Sequence, residues 1–228
     1  MAPSADEPVT IEVDETTQVS GLLQRPSHAR ACLVLAHGAG AGMRHPFMSA
    51  TARELDALGM ATLRYQFPYM EKRSKRPDPP PRCHATVRAA VAKAASRLPG
   101  LPLLAGGKSF GGRMTSQAQA LAPLSGVQGL VFLGFPLHPP GKPSTERAEH
   151  LLAIDIPMLF LQGARDEFAS LELLEPLIIR LGSRATLQVV AEADHSFHVP
   201  ARSGRKDAEV RGEMWQSLIA WMRSISKQ

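Results

Sequence analysis

The sequence predicts an α/β fold, a mostly parallel sheet with helices on both faces. Three observations carry this. Short, continuous apolar runs recur along the chain, as in Ala31–Ala36 and Val127–Leu133. Strands covered on both faces read this way. Between such runs, apolar residues repeat at helical spacing, and strands alternating with helices join as parallel neighbours. Finally, a tight turn containing Gly107, Ser109 and Gly111 sits where an apolar run ends and a helical stretch begins.

Taken in order, residues 10–13 and 18–23 are two short strands joined at Asp14-Glu15, a hairpin at the sheet edge. Ala31–Ala36 is a buried strand that ends in the flexible loop from His37 through Gly38, Ala39 and Gly40 to Gly42. Pro46 opens a helix, where its missing N–H is harmless. Phe47, Thr51, Leu55 and Leu58 repeat at helical spacing, and Gly59 stops the helix. Met60–Tyr65 is the next strand. Residues 66–82 form a basic loop with prolines at 77, 79, 80 and 81. It is too long and polar for a plain connector and is expected to shape a site or a partner surface. Residues 83–98 are a helix with Val87, Val91, Ala94 and Leu98 on one face.

Next come a strand at 101–105, the glycine turn, and a helix at 113–121. Val127–Leu133 is a strand with a loop at 134–144 behind it. Residues 145–152 are a short helix, 157–161 a strand, and 162–167 its exit loop. Leu171–Leu181 is helical, with Pro176 expected to break or restart it. Residues 186–190 are the last strand. Val210, Met214, Leu218, Trp221, Met222 and Ile225 mark one amphipathic helix. No repeat or linker interrupts the pattern, so residues 1–228 read as a single domain.

At 228 residues, 44% hydrophobic and 21% charged, the composition is that of a globular chain. No apolar run is long enough to span a membrane. The first eight residues lack a basic region and an apolar region, so no secretory signal is expected. Cys32 and Cys83 make no disulfide framework, which points to a cytoplasmic protein with reduced thiols. The net charge of +5 is largely local. Lys72, Arg73, Lys75, Arg76 and Arg82 share one loop, and Arg202, Arg205, Lys206 and Arg211 cluster later. No nucleic-acid module accompanies this charge, so no nucleic-acid partner is expected.

The turn around Ser109 has the G-x-S-x-G pattern of a nucleophile elbow, a serine held on a sharp strand-to-helix bend. Its glycines answer crowding, since a Cβ there would clash. The Gly-Lys-Ser triplet also resembles a phosphate-binding loop, but that motif needs glycine at position 102, where Pro102 stands. A serine hydroxyl needs a base, and the base needs an orienting carboxylate. Asp166 follows one strand and His195 follows the last, so the order Ser109, Asp166, His195 suits such a site. His198 is the competing base, and Glu167 and Asp194 are the competing acids. An oxyanion would be received by the backbone N–H groups of Phe110 and Ala39, with Gly40 as the alternative to Ala39. His37 is expected to pin its loop. His37 and His45 are separated by glycines, the two cysteines lack ligand spacing, and no dinucleotide motif follows a strand. No metal and no cofactor are therefore expected.

These stretches, together with Arg64 to Tyr69, Phe135 to Pro140 and Asp194 to Phe197, resemble the small, lidless α/β hydrolases related to dienelactone hydrolases. More narrowly they are similar to a bacterial group of predicted hydrolases that also resembles a subunit of a eukaryotic histone-acetyltransferase complex. The resemblance implies an α/β-hydrolase fold with no cap domain, and Ser109, Asp166 and His195 as a catalytic triad. Dienelactone hydrolases carry a cysteine nucleophile where Ser109 stands, so their substrate does not transfer. The expected activity is cleavage of a small-molecule ester or thioester through an acyl-enzyme. The alternative is a binding or scaffold protein that keeps the fold without turnover.

Overall fold

The structure, a computed structural model, describes residues 3–225. Its strands are β1 (Glu7–Asp14), β2 (Thr17–Gln24), β3 (Ala31–Ala36), β4 (Met60–Tyr65), β5 (Leu103–Lys108), β6 (Val127–Leu133), β7 (Met158–Gly163) and β8 (Ala185–Val190). Its helices are α1 (Pro46–Ala57), α2 (Pro68–Glu71), α3 (Pro80–Arg97), α4 (Phe110–Leu121), α5 (Leu171–Leu181) and α6 (Asp207–Ile225). The strands form one sheet in the order β1-β2-β4-β3-β5-β6-β7-β8. Only the β1–β2 and β2–β4 pairs are antiparallel. The other five are parallel, as continuous apolar runs predict.

Each face of the sheet has its own core. Val87, Val91 and Ala94 of α3, Met114 and Ala118 of α4, and Leu174 and Leu177 of α5 pack on one. Met48 and Leu55 of α1 and Met214, Leu218 and Met222 of α6 pack on the other. Helices α1 and α6 are also clamped together through Glu54. Its carboxylate accepts from Arg211 Nη2 at 2.9 Å and from Trp215 Nε1 at 2.6 Å. No helix among the described residues is long and apolar enough to cross a membrane.

The structure departs from the sequence reading at several places: β5 runs on through Gly106, Gly107 and Lys108, α4 starts at Phe110, and the short helix α2 lies within the stretch expected to be loop at 66–82. The hairpin strand begins at Glu7, and its turn falls at Glu15-Thr16, held by Thr16 N–H donating to Asp14 Oδ1 at 2.9 Å. The proline run is not loop throughout. Pro79 is the N-cap of α3, and Pro80 and Pro81 fill first-turn positions whose N–H groups have no intrahelical acceptor. Pro176 lies inside an unbroken α5. It is exposed while Leu174, Leu177 and Leu181 are buried, so the carbonyl it leaves unpaired faces solvent. Residues 145–152 wind as a 3-10 helix, Glu146–Ala153, whose buried residues Ala148 and Leu151 are three apart, matching three residues per turn.

Strand β5 lies unusually close to both neighbours. A Cβ built on Gly106 would stand 1.8 Å from Val131 O of β6. One on Gly107 would stand 2.5 Å from Ala36 O of β3 and 2.9 Å from Gly111 C. The crowding at the glycine turn therefore comes from β3 as much as from the turn closing on itself. Substituting Gly106→Ala forces backbone apart in the middle of the sheet. It is expected to lower unfolding stability by about 4 kcal/mol or more, read from urea denaturation.

Candidate active site

His37, Ser109, Asp166 and His195 lie beyond the carboxyl ends of the parallel strands β3, β5, β7 and β8, where open α/β sheets bind ligands. Ser109 follows β5 directly and caps α4. Its φ of 49° and ψ of −115° place a non-glycine residue in a sparsely populated region, at a cost on the order of 1–3 kcal/mol. The strain is held from both sides. Ser109 N–H donates to Leu133 O of β6 at 3.1 Å, and its carbonyl accepts from Arg113 N–H at 3.2 Å. The bend leaves the hydroxyl outside the helix, at the crest of the sheet.

Asp166 leaves the end of β7 and is buried. Its Oδ2 accepts from His195 Nδ1 at 2.6 Å and from Gln162 Nε2 at 2.6 Å, while Oδ1 accepts from Phe168 N–H at 2.8 Å. His195 Nε2 stands 2.8 Å from Ser109 Oγ. An ionised carboxylate only accepts, so Nδ1 carries the imidazole proton and Nε2 is left to accept from the serine hydroxyl. The ring is also covered by Phe168, with centroids 4.3 Å apart.

The structure separates the alternatives. His198 is exposed and pairs with Asp207 at 2.9 Å, a hydrogen bond that raises its pKa and keeps it away from Ser109. Asp194 accepts from the N–H groups of Ser196 and His198 at 2.8 and 3.0 Å, shaping the turn. Glu167 is exposed.

The loop carrying Ala39 lies against the elbow. A Cβ on Gly111 would stand 2.5 Å from His37 O. Among the described residues, neither Ala39 N–H nor Phe110 N–H has a protein acceptor. His37 is fully buried and pins the loop as expected. Its Nε2 accepts from Phe67 N–H at 3.1 Å and its Nδ1 donates to Gly38 O at 2.7 Å. Burial pushes its pKa down to about 4. Gln66 Oε1 accepts from Met43 N–H at 2.7 Å, and Tyr69 OH donates to Ala39 O at 2.9 Å. Buried Phe67 and Tyr69 pack on Phe110. The loop at 66–82 thus contributes its aromatic start to the site, while Lys72, Arg73, Lys75 and Arg76 are exposed to solvent.

Four supporting residues were not assigned roles from the sequence: Gln66, Tyr69, Lys108 and Gln162. Gln162 is fully buried and serves two masters, since its Oε1 also accepts from Phe135 N–H at 2.9 Å. The N–H groups of Leu137 and His138 both reach Phe168 O, at 2.9 and 3.1 Å. The loop at 134–144 is therefore tied to the segment that carries Asp166. The signal available was a polar side chain at the end of an apolar run, as at Lys108 and Gln162.

A family model described as an alpha/beta hydrolase domain matches residues 29–223. The chain belongs to that family. Its fold is shared with solved structures at low sequence identity. A serine hydrolase without a lid from Xanthomonas campestris is 20% identical, with a TM-score of 0.75 over 97% of each chain. A dienelactone hydrolase from Anabaena variabilis is 21% identical, with a TM-score of 0.74 over 95% of this chain and 99% of that one. An alpha-beta serine hydrolase homologue from Coxiella burnetii is 20% identical, with a TM-score of 0.74 over 92% and 95%.

Stability should fall in mild acid. The pKa of His37, and that of His150 beside Ser116, are both lowered to about 4, chiefly by burial. Between pH 6.5 and about 4 the unfolded chain binds protons that the folded chain does not. Stability therefore drops as pH falls through that window. Replacing His37→Asn is expected to flatten the slope there, measured by urea unfolding at a series of pH values.

Proposed function

We propose that this chain is a serine hydrolase that cleaves small esters or thioesters through an acyl-enzyme. The observation that carries the reading is the continuous relay from Ser109 Oγ through His195 to Asp166, at 2.8 and 2.6 Å, beside two unfilled backbone N–H groups. Ser109 Oγ attacks the substrate carbonyl while His195 Nε2 takes its proton. Asp166 stabilises the imidazolium and holds its orientation. The oxyanion is received by Phe110 N–H and Ala39 N–H, donors already aimed by the elbow and the His37 loop. Collapse of the tetrahedral adduct breaks the bond to the leaving group, which departs with the proton from His195. Water then repeats the sequence, with His195 as base, and releases the acid and Ser109.

The rim supports a small substrate. Phe110 adjoins Ser109 and Phe168 covers His195, and among the described residues nothing larger than the loop at 134–144 and the 3-10 helix lies between β6 and β7. Such an entrance suits compact acyl groups and gives a long lipid chain no apolar roof. This reading favours a hydrolase over the scaffold alternative, because a binding protein has no need of an intact relay.

Incubation with a fluorophosphonate probe is expected to label Ser109, and p-nitrophenyl acetate is expected to turn over. Ser109→Ala should abolish both. Asp166→Asn should lower kcat by about 10³–10⁴-fold, because the imidazole loses its tautomer control. Absence of labelling and turnover in the unaltered protein would leave the scaffold alternative standing. Labelling that survives Ser109→Ala would place the nucleophile elsewhere.

A further inference from the structure

Lys108, the last residue of β5, buries most of its length beside the relay without an ion pair among the described residues. Its Nζ donates to the backbone carbonyl of His195 at 2.5 Å and lies 5.5 Å from the centroid of the Phe197 ring. A Cβ built on Gly134 would be 3.1 Å from Lys108 Nζ, 3.3 Å from His195 Nδ1 and 3.4 Å from Asp166 Oδ2, so these three groups share one small space. The carboxylates of Asp166 and Asp194 favour the ammonium form. Burial opposes it more strongly and brings its pKa down to about 8. A desolvated cation held by a single carbonyl is a poor way to stabilise a fold. Its place in the site explains it better.

We propose that Lys108 is a positioning residue whose ammonium clasps the His195 carbonyl and thereby holds the imidazole over Ser109. The sheet order shows why a clasp is needed. Strands β6 and β7 lie between β5 and β8, so the loop after β8 must lean back across roughly 14 Å to bring His195 to the nucleophile. That loop contains two non-glycine residues with positive φ, Glu192 at 59° and Phe197 at 61°. Side chains rarely choose this backbone unless their surroundings impose it. The hydrogen bond to Asp166 sets the tilt of the ring, but the position of the ring follows the backbone that carries it. Lys108 immediately precedes Ser109, so the clasp fastens the base loop to the same backbone segment that carries the nucleophile.

The inference rests on the hydrolase reading for its kinetic consequence, but not for its structural one. Lys108→Met keeps an unbranched side chain one atom shorter and removes the cation. With p-nitrophenyl acetate, kcat is expected to fall about 10²-fold, the scale of a small misplacement of a catalytic group. KM should stay within about two-fold, because Phe110 and Phe168 at the proposed entrance are untouched. The urea midpoint should not decrease. The far-downfield proton resonance of the His195 Nδ1–H should broaden or vanish. Lys108→Arg, which keeps a cationic donor, should recover part of both signals. A methionine variant with wild-type kcat and an unchanged downfield resonance would overturn the clasp. The resonance needs no turnover, so it judges the clasp even where the unaltered protein proves inactive. If the methionine variant does not fold, the unaltered protein labelled with ¹⁵N-lysine provides the test. One exchange-protected ammonium resonance should shift when the His195 loop is displaced by truncating its partner in Asp166→Ala, and an unshifted set would sink the proposal.

Discussion

Strand β5 can approach β3 and β6 as closely as it does only because Gly106 and Gly107, and Gly111 at the start of α4, carry no Cβ. At Gly106 the carbonyl of Val131 occupies the space a methyl group would need, at Gly107 the carbonyl of Ala36 does, and at Gly111 that of His37. The last contact has the widest reach. It presses the start of α4 against the exit of β3, so the loop holding Ala39 is brought to the residue after Ser109 by backbone packing. The strained φ of Ser109 belongs to the same arrangement, since the chain must turn sharply to follow α4 without leaving β6.

The remaining groups reach this centre from the far half of the sheet. Asp166 is placed by the end of β7 and made rigid by three donors. His195 must cross the ends of two strands, and its loop borrows order from Asp194, which accepts two backbone N–H groups, and from Phe197, buried in the core beneath α1 and α6. On the opposite side, the neutral ring of His37 reads one N–H and one carbonyl at once, which a charged imidazole could not do.

Much of this architecture was legible in the sequence because its signals are local. Apolar runs such as Ala31–Ala36 announce strands buried on both faces, glycines around Ser109 announce a crowded bend, and Gly59 announces a helix end. The proposed nucleophile, acid and base were legible as strand-end residues in a meaningful order. The prolines misled where their context was not local. Pro80 and Pro81 look like loop until the helix they open is seen, and Pro176 looks like a break until its face proves to be solvent. The supporting contacts were least legible. Gln162, Tyr69 and Lys108 act through partners 4, 30 and 87 positions away, respectively, and all three bind backbone atoms, which no pattern of side chains reveals.

The double grip of Gln162 has a consequence for the segment after β6. The segment following β6 is moored to Asp166 through Gln162, which accepts from Phe135 N–H, and to Phe168 through two further backbone bonds. It forms a fixed rim. For the proposed hydrolase this mooring makes the segment part of the standing framework of the site, tied to the same carboxylate that orients His195.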